Sequence, residues 1–306
     1  MPSLTAARAA NAAFKTAANP VGVFIGGTAG IGHGMALAFA RATRGNARLV
    51  IVGRNQTAAE ELIASLPAPA NTQSTFVSCD VTLMRNVHSA AERILALPGV
   101  DRINYLAITT GFFTLSGRTE TEEGIDRKLA AHYYARWTFV NDLMPALKKA
   151  VEKGEEAKVM TVLAAGQGAP INVNDLGLKK TFSLKNAAEQ APTYNDLAME
   201  EFASRHPGIS FLHSFPGGVR SSIVKNSDSL LIKAAIYAIY PLTWLVTVSE
   251  EECGDYMTYA LLHAKPGFAR IDNHGDDIGR RKYYGDEVQR KKLWEHTVEV
   301  TKSTVQ

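Results

Sequence analysis

One segment constrains the fold more than any other. Residues 26–32 read Gly26-Gly27-Thr28-Ala29-Gly30-Ile31-Gly32, between a short apolar run, Val21–Ile25, and a helical pattern, Ile31–Arg44. A strand that ends in glycines and turns straight into a helix has a specific use. Gly26 permits the sharp turn, Gly30 lets the backbone approach a ligand closely, and Gly32 lets the helix pack tightly on the strand. The start of the helix then offers unpaired N–H groups and the positive end of its dipole, which suit a pyrophosphate. Thr28 and Ile31 lie in the same turn and join the expected binding residues. The spacing is G-x-x-x-G-x-G. The position of the loop in the chain, rather than the spacing alone, makes it a dinucleotide site.

The alternation that starts there continues. Arg48–Val52, Thr75–Ser78, Ile103–Ile108, Lys158–Leu163 and Ile209–Phe215 read as strands. Thr57–Ser65, Val87–Leu97, Glu123–Lys149 and Pro192–Arg205 read as helices. Repeated strand–helix–strand units with right-handed crossovers predict an α/β fold, a doubly wound Rossmann-type parallel sheet covered by helices on both faces. No repeat, low-complexity tract or long linker divides the chain. The expectation is a single domain with an N-terminal arm at 1–19, a dinucleotide-binding Rossmann core at 20–225, and a substrate lid with a C-terminal extension at 226–306. Leu230–Val248, which carries Trp244, is the most apolar stretch of that extension. Lys233 and Pro241 interrupt it, so neither half reaches the ~20 residues of a membrane span. It reads as a lid over an apolar pocket.

Composition removes several function classes. A net charge of +3 over 306 residues leaves no nucleic-acid footprint. The two cysteines, Cys79 and Cys253, are too few and too far apart for a disulfide framework or a zinc module. They fit a reducing compartment, and the expected location is cytoplasmic. Met1–Asn19 is Ala-rich and lacks the apolar core of a signal peptide, so it reads as a helical arm. No closely spaced ligand set argues for a metal, and no Gly-x-Ser-x-Gly elbow argues for a serine hydrolase.

The ends of the second and third strands indicate the nucleotide. Arg54, followed by Asn55, lies 22 residues beyond Gly32. An acid at that position would hold ribose hydroxyls and repel a 2′-phosphate, whereas a guanidinium forks onto the phosphate. NADP(H) is therefore expected over NAD(H). Asp80-Val81 closes the third strand, where Asp80 either accepts from the adenine amino group or caps the next helix.

The glycine loop, Gly53-Arg54, Asp80-Val81 and Pro216-Gly217-Gly218-Val219-Arg220-Ser221 resemble the short-chain dehydrogenase/reductase family over residues 20–225. The tail Lys292-Leu293-Trp294-Glu295-His296-Thr297 resembles its retinol-dehydrogenase-like branch and fungal relatives. The resemblance implies that Thr109 and Gly111, which end the fourth strand, border the cofactor. It also implies that Pro216, Gly217, Val219 and Ser221 border the nicotinamide, and that the helix Glu123–Lys149 forms a homodimer interface. The family's catalytic set is a Ser, a Tyr-x-x-x-Lys pair and an Asn. This chain departs from it throughout. Ala164 stands where the fifth strand should end in serine, the Asn place on the long helix falls at Ala131-His132, and no Tyr-x-x-x-Lys precedes Pro216.

Three residues are candidates to replace that set. His132 titrates near neutrality and suits acid–base work. Tyr194 lies on the helix that normally carries the tyrosine. Lys185 is placed to hold a ribose. Arg136 follows His132 by four residues, as an anion ligand or as a dimer or surface salt bridge. The expected function is a divergent NADPH-dependent reductase of a lipophilic carbonyl, imine or enone, in secondary metabolism, without the usual proton relay. The alternatives are a non-redox cyclase, isomerase or dehydratase on the same scaffold, and an inactive NADPH-sensing protein.

Overall fold

The computed structural model describes residues 1–15, 17–220 and 247–305. Ser221 and all of the expected lid except Thr247 and Val248 lie outside the described residues. Strands β1 (Val21–Ile25), β2 (Arg48–Gly53), β3 (Thr75–Ser78), β4 (Tyr105–Ile108), β5 (Lys158–Val162) and β6 (Ser210–Ser214) follow the apolar runs of the sequence. β7 (Val219–Arg220) and β8 (Val248–Ser249) form a separate two-stranded parallel pair. β9 (Gly267–Ile271) completes one seven-stranded parallel sheet in the order β3-β2-β1-β4-β5-β6-β9. Helices cover both faces, so β1, β4, β5 and β6 are buried along their whole length. The order reverses between β1 and β4, and a doubly wound sheet opens a crevice at that point, beyond the carboxyl ends of its strands.

Several elements depart from the sequence pattern. β9 belongs to the expected extension yet pairs with β6 throughout, Ser210 with Gly267 to Ser214 with Ile271. The helix expected from Pro192 begins at Leu184, is capped by Ser183, and carries Pro192 within it. The long helix does not start at Glu123. That carboxylate instead accepts from the Met84 and Arg85 amides at 2.6 and 3.0 Å, capping the helix Met84–Leu95. The long helix starts at Arg127 behind Asp126, widens into a π-turn at Ala130–Tyr134, and runs on as Ala135–Glu152.

The chain closes over that helix itself. The C-terminal helix Glu287–Thr301 lays Trp294 edge-on against Trp137 and Phe202, with ring centroids 4.9 Å apart in each pair. Tyr133 pairs its hydroxyl with Thr297 at 2.6 Å, and Asn141 donates to Thr304 O at 2.9 Å. Only Pro145, Lys149 and Glu152 of Ala135–Glu152 remain exposed. On the helix expected to form a homodimer interface, the chain's own tail covers this face.

At the other end, the helix Leu4–Ala13 docks on Glu250–His263 through Arg8 and Asp255, 2.6 Å apart. Among the described residues, no helix is long and apolar enough to cross a membrane.

Candidate active site

The crevice has two connected parts. The first, of about 300 Å³, runs across the ends of β1, β2 and β3. Its floor is backbone. Gly26 and Gly30 hold φ of +86° and +62°, a region that disfavours any side chain. A Cβ on Gly32 would stand 2.4 Å from Gly26 O and 2.5 Å from Thr109 Oγ1. The helix Gly30–Ala42 that follows has no side-chain cap and no acid in its first turn. Its N–H groups therefore remain for a ligand, and no carboxylate opposes an anion. Thr28, Ile31, Arg54, Asn55, Asp80, Val81, Thr109 and Gly111 also line this part.

Two of these side chains do local work as well. Asn55 accepts from the Ala58 amide at 3.1 Å and caps the helix Gln56–Ser65. Asp80 Oδ1 accepts from the Thr82 amide and hydroxyl at 3.0 and 2.8 Å. Arg54 is exposed on the rim, and no salt bridge among the described residues engages it.

The second part is a cavity of about 360 Å³ that shares Ile31 and Thr109–Phe112 with the first. Phe113, Val162, Leu163 and Pro216 supply apolar wall, with His132 and Arg136 between them. Phe113 is 53% exposed, at the mouth. His132 lies in the π-turn, and its Nε2 accepts from the Phe112 amide at 3.3 Å, so the ring proton sits on Nδ1. Burial, with Arg136 beside it, pushes the imidazole down to about 3. Arg136 is 1% exposed. It donates to Val162 O at 2.9 Å, to Ala131 O and Ile108 O at 3.3 and 3.4 Å, and also to Thr161 Oγ1 and Thr110 O.

Behind the cavity the polar groups face inward. Thr161 Oγ1 donates to Asn195 Oδ1 at 3.0 Å, and Asn195 Nδ2 donates to His132 O at 2.9 Å, tying the π-turn to the helix Leu184–Arg205. Ala164 follows β5, and its amide donates to His213 Nε2 at 3.2 Å. His213 Nδ1 meets Asp196 Oδ1 at 2.6 Å, and Asp196 Oδ2 pairs with Arg270 Nε at 3.0 Å. Burial pushes His213 below its ordinary value despite the carboxylate, so the ring is neutral and donates from Nδ1. Arg270 in turn fixes the loop after β9, donating to the carbonyls of Gly279, Arg281 and Lys282.

Residues 21–168 match the family model described as short chain dehydrogenase. An oxidoreductase of Emericella nidulans is 34% identical over 266 residues, which cover 86% of this chain and 78% of that one. The oxidoreductase andH of Emericella variicolor is 31% identical, covering 85% and 74%. This chain belongs to the short-chain dehydrogenase/reductase family. Human polyprenol dehydrogenase is a more distant member, 24% identical over 92% of this chain and 84% of its own. Among solved structures, a protein of Mycobacterium paratuberculosis superposes with a TM-score of 0.69 over 97% of this chain and 98% of that one, at 18% identity. An NADPH-bound carbonyl reductase from chicken fatty liver gives 0.58 over 87% and 100%, at 17% identity.

Within this family member, the candidate catalytic residues do not meet. His132 lines the cavity, but held neutral by burial and Arg136 it carries no imidazolium at working pH, which corrects the expected titration near neutrality. Tyr194 is fully buried and lines neither cavity. Its hydroxyl donates toward Leu176 O at 3.0 Å and Gln190 Oε1 at 2.8 Å, and burial holds its pKa well above the usual tyrosine value. Lys185 points into solvent in the first turn of its helix, 3.8 Å from Glu189. Among the described residues, neither Tyr194 nor Lys185 lines either part of the crevice. Arg136 is buried, and no salt bridge among the described residues engages it.

Pro216 borders the cavity, while Gly217 (φ +70°) packs on Asn273 and Val219 lies in β7. The sequence reading missed Phe112, Phe113 and Asn195. A usable signal was present for Arg136, which falls within the apolar run of the long helix.

Proposed function

We propose that this family member is an NADP(H)-dependent reductase acting on a lipophilic substrate whose carbonyl, imine or alkene is already polarised. The carrying observation is continuity. The backbone-floored cleft opens directly into an apolar cavity through five shared residues, Ile31 and Thr109–Phe112. The donor set fits a pyrophosphate at the helix start and a 2′-phosphate at Arg54. When bound, the nicotinamide supplies the hydride. The chain's own residues exclude water and orient the acceptor. They offer little acid, since Thr109 donates to Gly26 O and Thr110 to Ala131 O, both at 3.3 Å, and Ala164 has no hydroxyl. A substrate that needs no strong proton donor fits such a wall. Fungal relatives named as oxidoreductases support the redox reading.

The test is nucleotide titration. Wild type should prefer NADPH to NADH, and Arg54→Ala should lose about ten- to a hundredfold in NADPH affinity, roughly 1.5–3 kcal/mol for a charge-assisted contact. Equal NADPH affinity in the two proteins would refute the assignment.

The absence of a hydroxyl acid from the described cavity wall also favours a second reading, a cyclase or isomerase that folds a flexible substrate. Product mass separates the two. A product isobaric with its substrate, formed without NADPH oxidation, selects the second.

A further inference from the structure

We infer that the cavity beside the dinucleotide cleft takes an apolar molecule bearing a delocalised oxyanion, an enolate or phenolate, against the guanidinium of Arg136. The inference deepens the reductase reading and rests on the same cavity, since an enone that has accepted a hydride at its β-carbon is an enolate and presents this charge.

Three observations carry it. Arg136 lines the cavity while being 1% exposed, so its charge is out of water. Each of its acceptors is uncharged: Thr161 Oγ1 and the carbonyls of Ile108, Thr110, Ala131 and Val162. No carboxylate among the described residues pairs with it. Finally, Nη2 donates to Thr110 O and carries a second N–H for which the described residues provide no acceptor. An unpaired buried cation is costly, and proteins ordinarily pair one. Burial pushes Arg136 down to about 9, which still leaves it charged at neutral pH. A ligand anion completes the pair. The walls select its kind, because Phe112, Phe113, Val162, Leu163 and Pro216 suit a weakly hydrated charge spread over an apolar body. His132 adds a neutral Nδ1–H donor at the same wall.

The test uses the full chain without added nucleotide and a nitrophenol probe whose ionisation is read by absorbance across a pH series. The groups facing Arg136 do not interfere. His132 stays neutral to about 3, burial likewise keeps His213 neutral, and Asp196 is paired with Arg270. Lys128, whose charge acts on His132, donates from its ammonium to the Ser116 and Gly117 carbonyls, and burial lowers its pKa. Bound probe should ionise about one pH unit below free probe, a roughly tenfold preference for phenolate over phenol. Arg136→Lys should keep a shift in that direction, and Arg136→Met should abolish it. Should the methionine variant fail to fold, Leu163→Trp, which fills the cavity, should release the probe.

Ionisation at or above the free value overturns the inference. So does probe retained by Leu163→Trp, or no saturable binding up to about 1 mM. NADPH affinity is measured in the same preparations. Its loss would fail the cofactor reading while leaving the phenolate result to stand by itself.

Discussion

The two halves of the crevice are built in opposite ways. Where β1, β2 and β3 end, the cleft floor is main chain, shaped by glycines whose Cβ atoms would collide with carbonyls, and no salt bridge among the described residues engages Arg54. Where β4, β5 and β6 end, nearly every polar side chain is already engaged with the protein. Thr109, Thr110, Thr161, Asn195, His213 and Asp196 all bond inward. The first half keeps its hydrogen-bonding capacity for a ligand. The second has turned side chains near a proton-relay position into internal bracing, and among the described residues it leaves one uncompensated cation at the cavity wall. On the proposed function, a cofactor site persists in this chain beside a reaction site of another kind.

That contrast can be broken or sharpened by mutation. The largest effect is expected at Asp196, which braces His213 and Arg270 together. Asp196→Asn leaves a buried guanidinium without its counter-charge, and about 3–5 kcal/mol of stability should be lost in denaturant unfolding. A cost under about 1 kcal/mol would mean that the bracing is dispensable and that the second half has groups to spare for chemistry.

A smaller change is expected from Tyr194→Phe. It deletes one buried hydroxyl between Leu176 O and Gln190, worth about 0.5–1.5 kcal/mol, and NADPH affinity should not move. A drop in that affinity would return Tyr194 to the site. The smallest effect is expected from Lys185→Ala. This exposed side chain should leave unfolding midpoint and NADPH titration at wild-type values. A tenfold weaker NADPH complex would restore it as a ribose ligand.

The same contrast explains what was legible in the sequence. Gly26, Gly30 and Gly32 could be assigned because a left-handed turn and a close approach leave one residue type able to serve. The place of Arg54 on the cleft rim was legible because its position relative to the loop is fixed by one βαβ unit. The second half resisted reading because its roles depend on burial. His132 lines the cavity from the long helix, yet its protonation is set by burial with Arg136 beside it, and nothing in the spacing shows that either group is sealed from water. Tyr194 is plausible on its helix until the hydroxyl is seen directed at Leu176. β9 escaped because Gly267 and the buried Arg270 interrupt its apolar pattern. Pro192 hid two turns of helix preceding it. Gly34 and Gly254 carried no visible signal, although a Cβ on Gly34 would lie 2.2 Å from Glu250 O at the crossing of their helices.

The tail that lies over Trp137 and Phe202 has a consequence for how the fold responds to dilution. A helix supplied by another subunit leaves as protein concentration falls, and its contribution to stability depends on that concentration. Here the covering helix is tethered, so its effective concentration is a property of the chain and does not change with expression level. The aromatic seam between Trp294, Trp137 and Phe202 is held alike in a crowded cell and in a nanomolar assay. Sequence change along Leu293–Thr301 is answered within one gene product, with no second copy needing to change in step.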